Sequence, residues 1–492
     1  MSDRRDLPPL YARAGYAPPA GSIPTMAVPI LAKVRQAHLI GVGGAGMSGI
    51  ARLLLARGIE VTGSDLKDGR GLDELRMAGA RIHIGHDAAA LGDPDVVVIS
   101  SAIPERNPEL VAARERGIPL LARAQALAAL ASGYRTVAIA GTHGKTTTTS
   151  MLAVILERCG VDPTFVIGGH LNESGSGARH GAGDVFVAEA DESDGSFLLL
   201  SPDVGIVTNV EPDHLDFYSG GFEEIEAAFA AFVLGSKLAV VCGDDPGVRG
   251  VLARIERSGG TVGTTLTYGL QEGNDVLIAP GEHSAEGISG EVVARDGRRA
   301  RLVLRRPGVH TLLNGAAAVL AATAVGVPLE RAAEAVGTFT GVHRRFEHRG
   351  SARGATFIDD YAHHPTELVA TLAAAQEADA GRIVAVFQPH RYSRTQQLWR
   401  SMGASLAGAD VAVITDVYAA GEEPIPGVTG KLLVDSLAEH DRATRIVYLP
   451  HRADVAPFLA SEVRAGDLVL TLGAGDVTMV TDEVLDRLEE TG

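Results

Sequence analysis

Cysteine is nearly absent from this chain. In 492 residues there are two, Cys159 and Cys242, and neither belongs to a Cys-x-x-Cys pair. That argues against a disulfide framework and against a thiolate zinc site. Aromatic residues make up only 4%, with one Trp, so the 46% hydrophobic content that lets each domain pack a core is mostly aliphatic. Basic residues are outnumbered, 44 Lys and Arg against 61 Asp and Glu, for a balance of −17. An acidic chain is a poor partner for nucleic acid or an anionic membrane surface, although a few local donors can still hold a small anion. No apolar run reaches the ~18 residues of a membrane-spanning helix. The first 35 residues are rich in Pro and lack the uninterrupted apolar stretch of a signal peptide. They read as a disordered or surface-lying extension, and a cytoplasmic location is expected.

What the chain does have is a recurring alternation of apolar strands, turns and helical patterns. At about 150 residues per domain, its length favours three domains. From His38, "HLIGVGGAGMSGIARLLLARGIEVTGSD" reads strand, Gly turn, helix, strand. A second unit opens at "TVAIAGTHGKTTTTSMLAVILERCG" and a third at "ATFIDDYAHHPTELVATLAAA". Strands alternating with helices imply parallel sheets, with ligands at the C-terminal edges of the strands. The expected fold is α/β throughout: a Rossmann-like N-terminal domain, a central P-loop-type ATPase domain and a C-terminal Rossmann-like domain. The expected boundaries are an extension over 1–35 and domains over 36–131, 132–341 and 342–492. Residues 261–306, with Gly and alternating Val and Leu, suggest antiparallel strands inside the middle domain.

The stretch "AGTHGKTTTTS", Ala140 to Ser150, ends like a phosphate-binding loop, yet Ile139 stands where the full pattern has its first Gly. The remaining parts suffice for the chemistry. Backbone N–H groups from Gly141 through Thr142, His143, Gly144 and Lys145 to Thr146 can face phosphate, with a helix expected from Thr147. Lys145 supplies a mobile cation and Thr146 a hydroxyl for Mg²⁺. A magnesium ion needs further oxygen donors at nearby strand ends. "FVAEADESDGSF" offers Glu189, Asp191, Glu192 and Asp194; strand alternation would put Glu189 and Asp191 on one face, while Asp194 reads as solvated. Farther on come Asp213, His214 and Asp216. His214 suits a second metal, a loop hydrogen bond or a satisfied core position about equally.

"GVGGAGMSG" carries Gly41, Gly43, Gly44 and Gly46 after a strand and before a helix, with Asp65 ending the next strand. Alone this fits a NAD-dependent dehydrogenase, but such a loop offers N–H donors to any diphosphate. It is also compatible with a tight turn that binds nothing. In "FQPHRYSRT", Arg391 and Arg394 share a face if a helical turn follows, and two guanidinium forks suit a carboxylate or phosphate. A surface basic patch is the plainer alternative. "FIDDYAHHPTE" puts paired Asp and paired His after a strand, with Pro365 and Glu367 fitting a helix start.

The motifs "GTHGKTTT", "EADESDGSF", "NVEPDHLDFY", "RRFE", "DDYAHHPTE" and "FQPHRYSRT", in this order, resemble the Mur ligases from His38 to the end of the chain. Within that family the wording is closest to the branch that attaches L-alanine to UDP-N-acetylmuramate. The resemblance implies that ATP and Mg²⁺ are required. Gly141 to Thr147 would hold ATP, with Asn314 at the adenine and with Arg345 and Asp360 reaching the nucleotide from the C-terminal domain. Thr146, Glu189 and His214 would serve the metal. His363, Arg391 and Arg394 would surround L-alanine. The sugar nucleotide would lie on the N-terminal glycines, with Ser64, Asp65 and Ser100 as loop contacts. The chain departs from the family wording where Ala362 replaces a Gly and Thr311 an Asn, in the segment Gly168–Gly181, and in "FYSGGFEEIEAAF", which has no counterpart of the modified lysine some relatives use.

The combined expectation is an ATP-dependent, amide-forming ligase. Phosphoryl transfer to a carboxylate makes an acyl phosphate, and the amine of L-alanine then displaces phosphate. His363 or His364 is placed to take the proton, and water must be kept out by closure of the C-terminal domain. A monomer or weak homodimer is expected, with no nucleic acid and no membrane insertion. The rivals are a recycling ligase that adds a whole peptide to the same sugar nucleotide, a NAD-dependent oxidoreductase, and a nucleotide switch without ligation.

Overall fold

The computed structural model describes residues 31–490, apart from 101, 170, 173–175, 216, 261–263, 285–286 and 378–380. Most of the expected N-terminal extension, and Asp216, therefore lie outside the described residues. Among the described residues there are three sheets, and contacts divide the chain into two compact units. The first unit is built from residues up to Ala279, with Gly290–Leu302 and Leu313–Phe339. The second comprises Pro280–Ser289, Val303–Leu312 and Thr340–Gly492.

The first sheet has five parallel strands in the order Arg81–Ile84, Glu60–Asp65, Gln36–Ile40, Val96–Ile99, Leu120–Ala122. Its order reverses beside Gln36–Ile40, which puts the Gly-rich loop at a topological switch point. Val96, Val97 and Val98 are all buried, as expected of a parallel strand covered on both faces.

In the second sheet, of ten strands, Arg135–Ala140 lies between Val204–Val207 and Val185–Glu189, both parallel to it. Ile139 is level with Glu189, and Ala140 with Val207, so the phosphate loop leaves the sheet among the ends of its neighbours. The segment expected to be antiparallel opens with parallel pairing. Thr264–Gly269 pairs parallel with Leu238–Cys242, because the helix Pro246–Arg257 between them makes a crossover. Val276–Ser284 pairs parallel with Thr264–Gly269 in turn, and Gly287–Ala294 and Arg299–Leu304 lie beyond it at the edge of the sheet.

The third sheet lies in the second unit. Glu347–Ala352 is antiparallel to Ala355–Asp360, and Asp467–Leu472, Arg382–Phe387, Val411–Ile414 and Arg445–Tyr448 follow in parallel. The helix Pro365–Gln376 starts as its sequence predicts. Pro365 stands at its first position, and the Glu367 carboxylate accepts from the N–H groups of His363 and His364.

Candidate active site

The helix after the phosphate loop starts at Lys145, two residues earlier than expected, and it is entered through Gly144 at φ +82°. Lys145 and Thr146 therefore occupy its first turn, where N–H groups have no acceptor within the helix. A Cβ at Gly144 would come within 2.7 Å of the Asn314 side-chain oxygen, so the loop passes directly under Asn314. Thr311, which stands where an Asn was expected, spends its hydroxyl on the Pro307 carbonyl at 2.9 Å.

In the first half of the loop the backbone amides have partners within the protein. The Thr142 N–H donates to the Asn209 carbonyl at 3.1 Å, and the His143 N–H donates to the Asn209 side chain at 2.7 Å. Thr208 and Asn209 donate back to the His143 carbonyl at 2.6 and 3.1 Å. The strand end at Thr208 braces one side of the loop, and Gly144, Lys145 and Thr146 carry it into the helix start. The His143 ring nitrogen Nε2 lies 3.5 Å from Glu211.

Lys145 Nζ donates to the carbonyls of Gly141 and Thr142 at 2.6 and 3.1 Å and to Glu192 at 2.9 Å. Burial works against its charge, but Glu192, Asp191 and Glu189 outweigh it and raise its pKa. The acids thus have distinct positions. Glu189 ends its strand as expected, but the strand stops there and Asp191 does not continue the alternation. Asp191 instead caps a short turn and accepts from Arg123 at 2.8 Å. Burial opposes the ionised form of Asp191, yet Arg123 and Lys145 hold it well below the usual carboxylate range. Asp194 is half-buried rather than solvated and accepts from the Ser196 N–H at 3.0 Å. Glu189, level with Ile139, and the Thr146 hydroxyl are the oxygen donors the sequence offered to a metal. A hydroxyl and a carboxylate are hard oxygen donors of the kind Mg²⁺ takes. His214 sits at φ +53°, a left-handed conformation rare for a non-glycine residue, with its ring 3.5 Å from Asp213.

In the N-terminal sheet the Gly-rich loop is tied to the end of the next strand. The Ser64 carbonyl accepts from the N–H groups of Gly41 and Val42 at 2.8 and 3.0 Å, and the Asp65 carboxylate accepts from Gly43 at 2.8 Å. Asp65 therefore braces the loop. Gly44 caps the helix Ala45–Ala56, whose first turn contains Gly46. Ser100 follows the strand Val96–Ile99, and its carbonyl accepts from Ile103. Beneath Ser64 lies a buried network the sequence did not announce. Glu109 is fully buried and binds His38 at 2.6 Å, the Ser64 hydroxyl at 2.8 Å and His86 at 3.0 Å.

The second unit gathers its own polar cluster. Asp360, at a strand end, accepts from the N–H groups of Phe346 and Ala362 at 2.8 and 2.7 Å. Burial raises its pKa to about 6, against the pull of Arg345. Arg344 and Arg345 each place a guanidinium 5.0 Å from the centre of the Tyr361 ring. Arg344 also donates to the carbonyls of Gly473 and Gly475 at 2.6 and 3.1 Å. The His363 ring packs edge-on against Tyr361 and His390, 5.4 and 5.9 Å away. His364 is buried at the helix start. Arg391, at φ +70°, caps the helix Tyr392–Ala404, and Arg394 lies in its first turn. Both charges act on His390, whose pKa is pushed down to about 3, first by burial and then by His363, Arg394, Arg391 and Arg344.

Four residues of these clusters escaped the sequence reading. Asn209 and Arg344 lay inside quoted motifs, "NVEPDH" and "RRFE", where a neighbour drew attention instead. Arg123 and Glu109 carried no local signal, because their partners are 68 and 71 residues away.

A Gly-rich loop at a switch point, a braced phosphate loop with strand-end acids, and a third sheet with an Arg- and His-lined edge define a nucleotide-dependent α/β ligase in three domains. Family models agree. The Mur ligase family catalytic domain matches residues 36–135, the Mur ligase middle domain 139–322, and the Mur ligase glutamate ligase domain 344–475. The chain belongs to the Mur ligase family. It is 47% identical over 474 residues to the UDP-N-acetylmuramate–L-alanine ligase of Saccharopolyspora erythraea, covering 94% of this chain and 95% of that one. It is 48% identical to the corresponding ligase of Acidothermus cellulolyticus, covering 93% and 96%. Among solved structures, the UDP-N-acetylmuramate–alanine ligase of Thermotoga maritima matches with a TM-score of 0.77 at 29% identity, covering 93% of this chain and 100% of that one. A murein peptide ligase from Psychrobacter arcticus matches at 0.67 and 25% identity, covering 92% and 98%. Family membership removes the dehydrogenase reading of the Gly-rich loop. No helix among the described residues is long and apolar enough to cross a membrane.

Proposed function

We propose that the chain joins L-alanine to the carboxylate of UDP-N-acetylmuramate at the expense of ATP. The observation that carries this reading is the meeting of three things in one unit: a Lys145 held at a helix start, the first-turn amides beside it, and Glu189 level with Ile139. That arrangement suits the terminal phosphates of a nucleotide. The relatives' shared activity on UDP-N-acetylmuramate and L-alanine supports the choice of substrates. It favours the single amino acid over the peptide of a recycling ligase.

A carboxylate is a poor acyl donor because oxide would have to leave. Its oxygen attacks the γ-phosphorus of ATP, ADP departs, and an acyl phosphate remains. The amine of L-alanine attacks the acyl carbon and phosphate leaves with its electron pair. In this reading Lys145 and the amides of Gly144 to Thr146 steady the charge on the transferring group. Thr146 and Glu189 would hold Mg²⁺, with His214 nearby for a second ion; the metal supplies charge neutralisation of the phosphates when bound. Asn314, above Gly144, would meet the adenine, and Arg345 and Asp360 would reach the nucleotide. Arg391 and Arg394 would take the carboxylate of L-alanine as paired forks. His363 is the better placed of the two histidines to receive the ammonium proton, since His364 is buried at the helix start.

The test is product analysis by mass spectrometry with ATP, Mg²⁺, UDP-N-acetylmuramate and a panel of amino acids and the murein tripeptide. The reading expects UDP-N-acetylmuramoyl-L-alanine with L-alanine as the preferred amine. A product formed with the tripeptide and not with L-alanine would move the chain to the recycling activity.

A further inference from the structure

One guanidinium serves both the Gly-rich loop and the acidic strand end. Arg123 opens the helix Arg123–Ala131, and a Cβ at Gly46 would lie 2.9 Å from its Nη1. Its Nη2 donates to Asp191 at 2.8 Å, with each side chain about a third exposed. Asp194 and Glu189 add their fields to the same group. The cation therefore stands against the first turn of the Gly-loop helix, the positive end of that helix's dipole. On one side it has carboxylates; on the other it lies against Gly46 of the Gly-rich loop's helix. Asp191 directly precedes Glu192, which holds Lys145. Two ion pairs, Arg123–Asp191 and Glu192–Lys145, thus run in sequence from the Gly-rich loop to the phosphate loop.

We propose that Arg123 is an exchangeable clamp for the diphosphate of the sugar nucleotide, turning from Asp191 to the phosphates as the substrate arrives. The inference rests on the reading that the Gly-rich loop receives UDP-N-acetylmuramate. An arginine fork bonds two phosphate oxygens at once, and the helix terminus and loop amides add to its pull. Asp191 competes for the same guanidinium.

Calorimetric titration of the full chain with UDP and with uridine, in metal-free buffer, tests this. Arg123→Met is expected to weaken UDP by at least about tenfold and to leave uridine within about twofold, since uridine has no phosphate. Asp191→Asn keeps an oxygen for the Ser193 N–H and removes the competing charge, so it is expected to tighten UDP. A pair that only holds the fold would make both variants lose UDP and uridine alike. Equal UDP affinity in the parent and in Arg123→Met, or weakening of UDP by Asp191→Asn, would overturn the clamp. A parent chain that binds neither UDP nor UDP-N-acetylmuramate would overturn the sugar-nucleotide reading itself.

Discussion

Lys145 and Glu192 face each other across 2.9 Å, with the lysine also bonded to the carbonyls of Gly141 and Thr142. The loop's one cation is thus kept in place by a carboxylate that a nucleotide's phosphates would have to outbid. Lys145→Met is expected to cut ligand-dependent phosphate release by at least about a hundredfold, the usual scale for losing one charge-stabilising donor. Near-parental turnover with an unchanged circular dichroism spectrum would mean that the loop does not serve the transferring phosphate.

Gly144 joins strand and helix in a left-handed conformation under Asn314. Gly144→Ala meets both obstacles, backbone strain of about 1–2 kcal/mol and a side-chain oxygen 2.7 Å from the new methyl. ATP affinity should fall, and adding Asn314→Ala should restore stability only in part, because the strain remains. Full recovery in the double variant would show that crowding alone was responsible.

Glu109 accepts from His38, Ser64 and His86, and its burial is outweighed by these partners, which keep its pKa below the ordinary value. Glu109→Gln would turn a donor towards one of them. A loss of about 2–3 kcal/mol in unfolding free energy is expected, read by urea titration, with the sugar-nucleotide KM rising through the Ser64 brace. No change in either would make the network incidental.

His390 shows how the second unit should respond to acid. Its folded pKa, about 3, lies below the 6.5 of an unperturbed histidine. The unfolded chain therefore binds a proton that the folded one refuses, and stability is lost as pH falls below 6.5. The unfolding midpoint should drop between pH 6.5 and 4, and the slope should flatten in His390→Gln. An identical slope in that variant would place the effect elsewhere.

These cases divide cleanly by how far apart in the sequence the partners lie. The phosphate loop, the Gly-rich loop and the start of the helix at Pro365 could be read from short stretches, because turn geometry and helix capping are set by neighbours. The strands themselves were legible too, since buried parallel strands are continuous apolar runs. Who pairs with whom was not. Asp191 looked like a second strand-face acid until the strand ended at Glu189 and Arg123 reached it from the start of the helix Arg123–Ala131. Asn209, spent on bracing His143, could be told from a substrate contact only by seeing which backbone groups it satisfies. The parallel pairing of Thr264–Gly269 depended on the crossover helix before it, not on its own composition.

The central claim is that the terminal phosphate of ATP activates a carboxylate borne by the sugar. It is tested most directly with UDP-N-acetylmuramate labelled with ¹⁸O in its carboxylate. The account predicts that, with ATP and L-alanine present, each phosphate released carries one labelled oxygen and the amide keeps the other. Unlabelled phosphate, or label recovered in AMP, would contradict it.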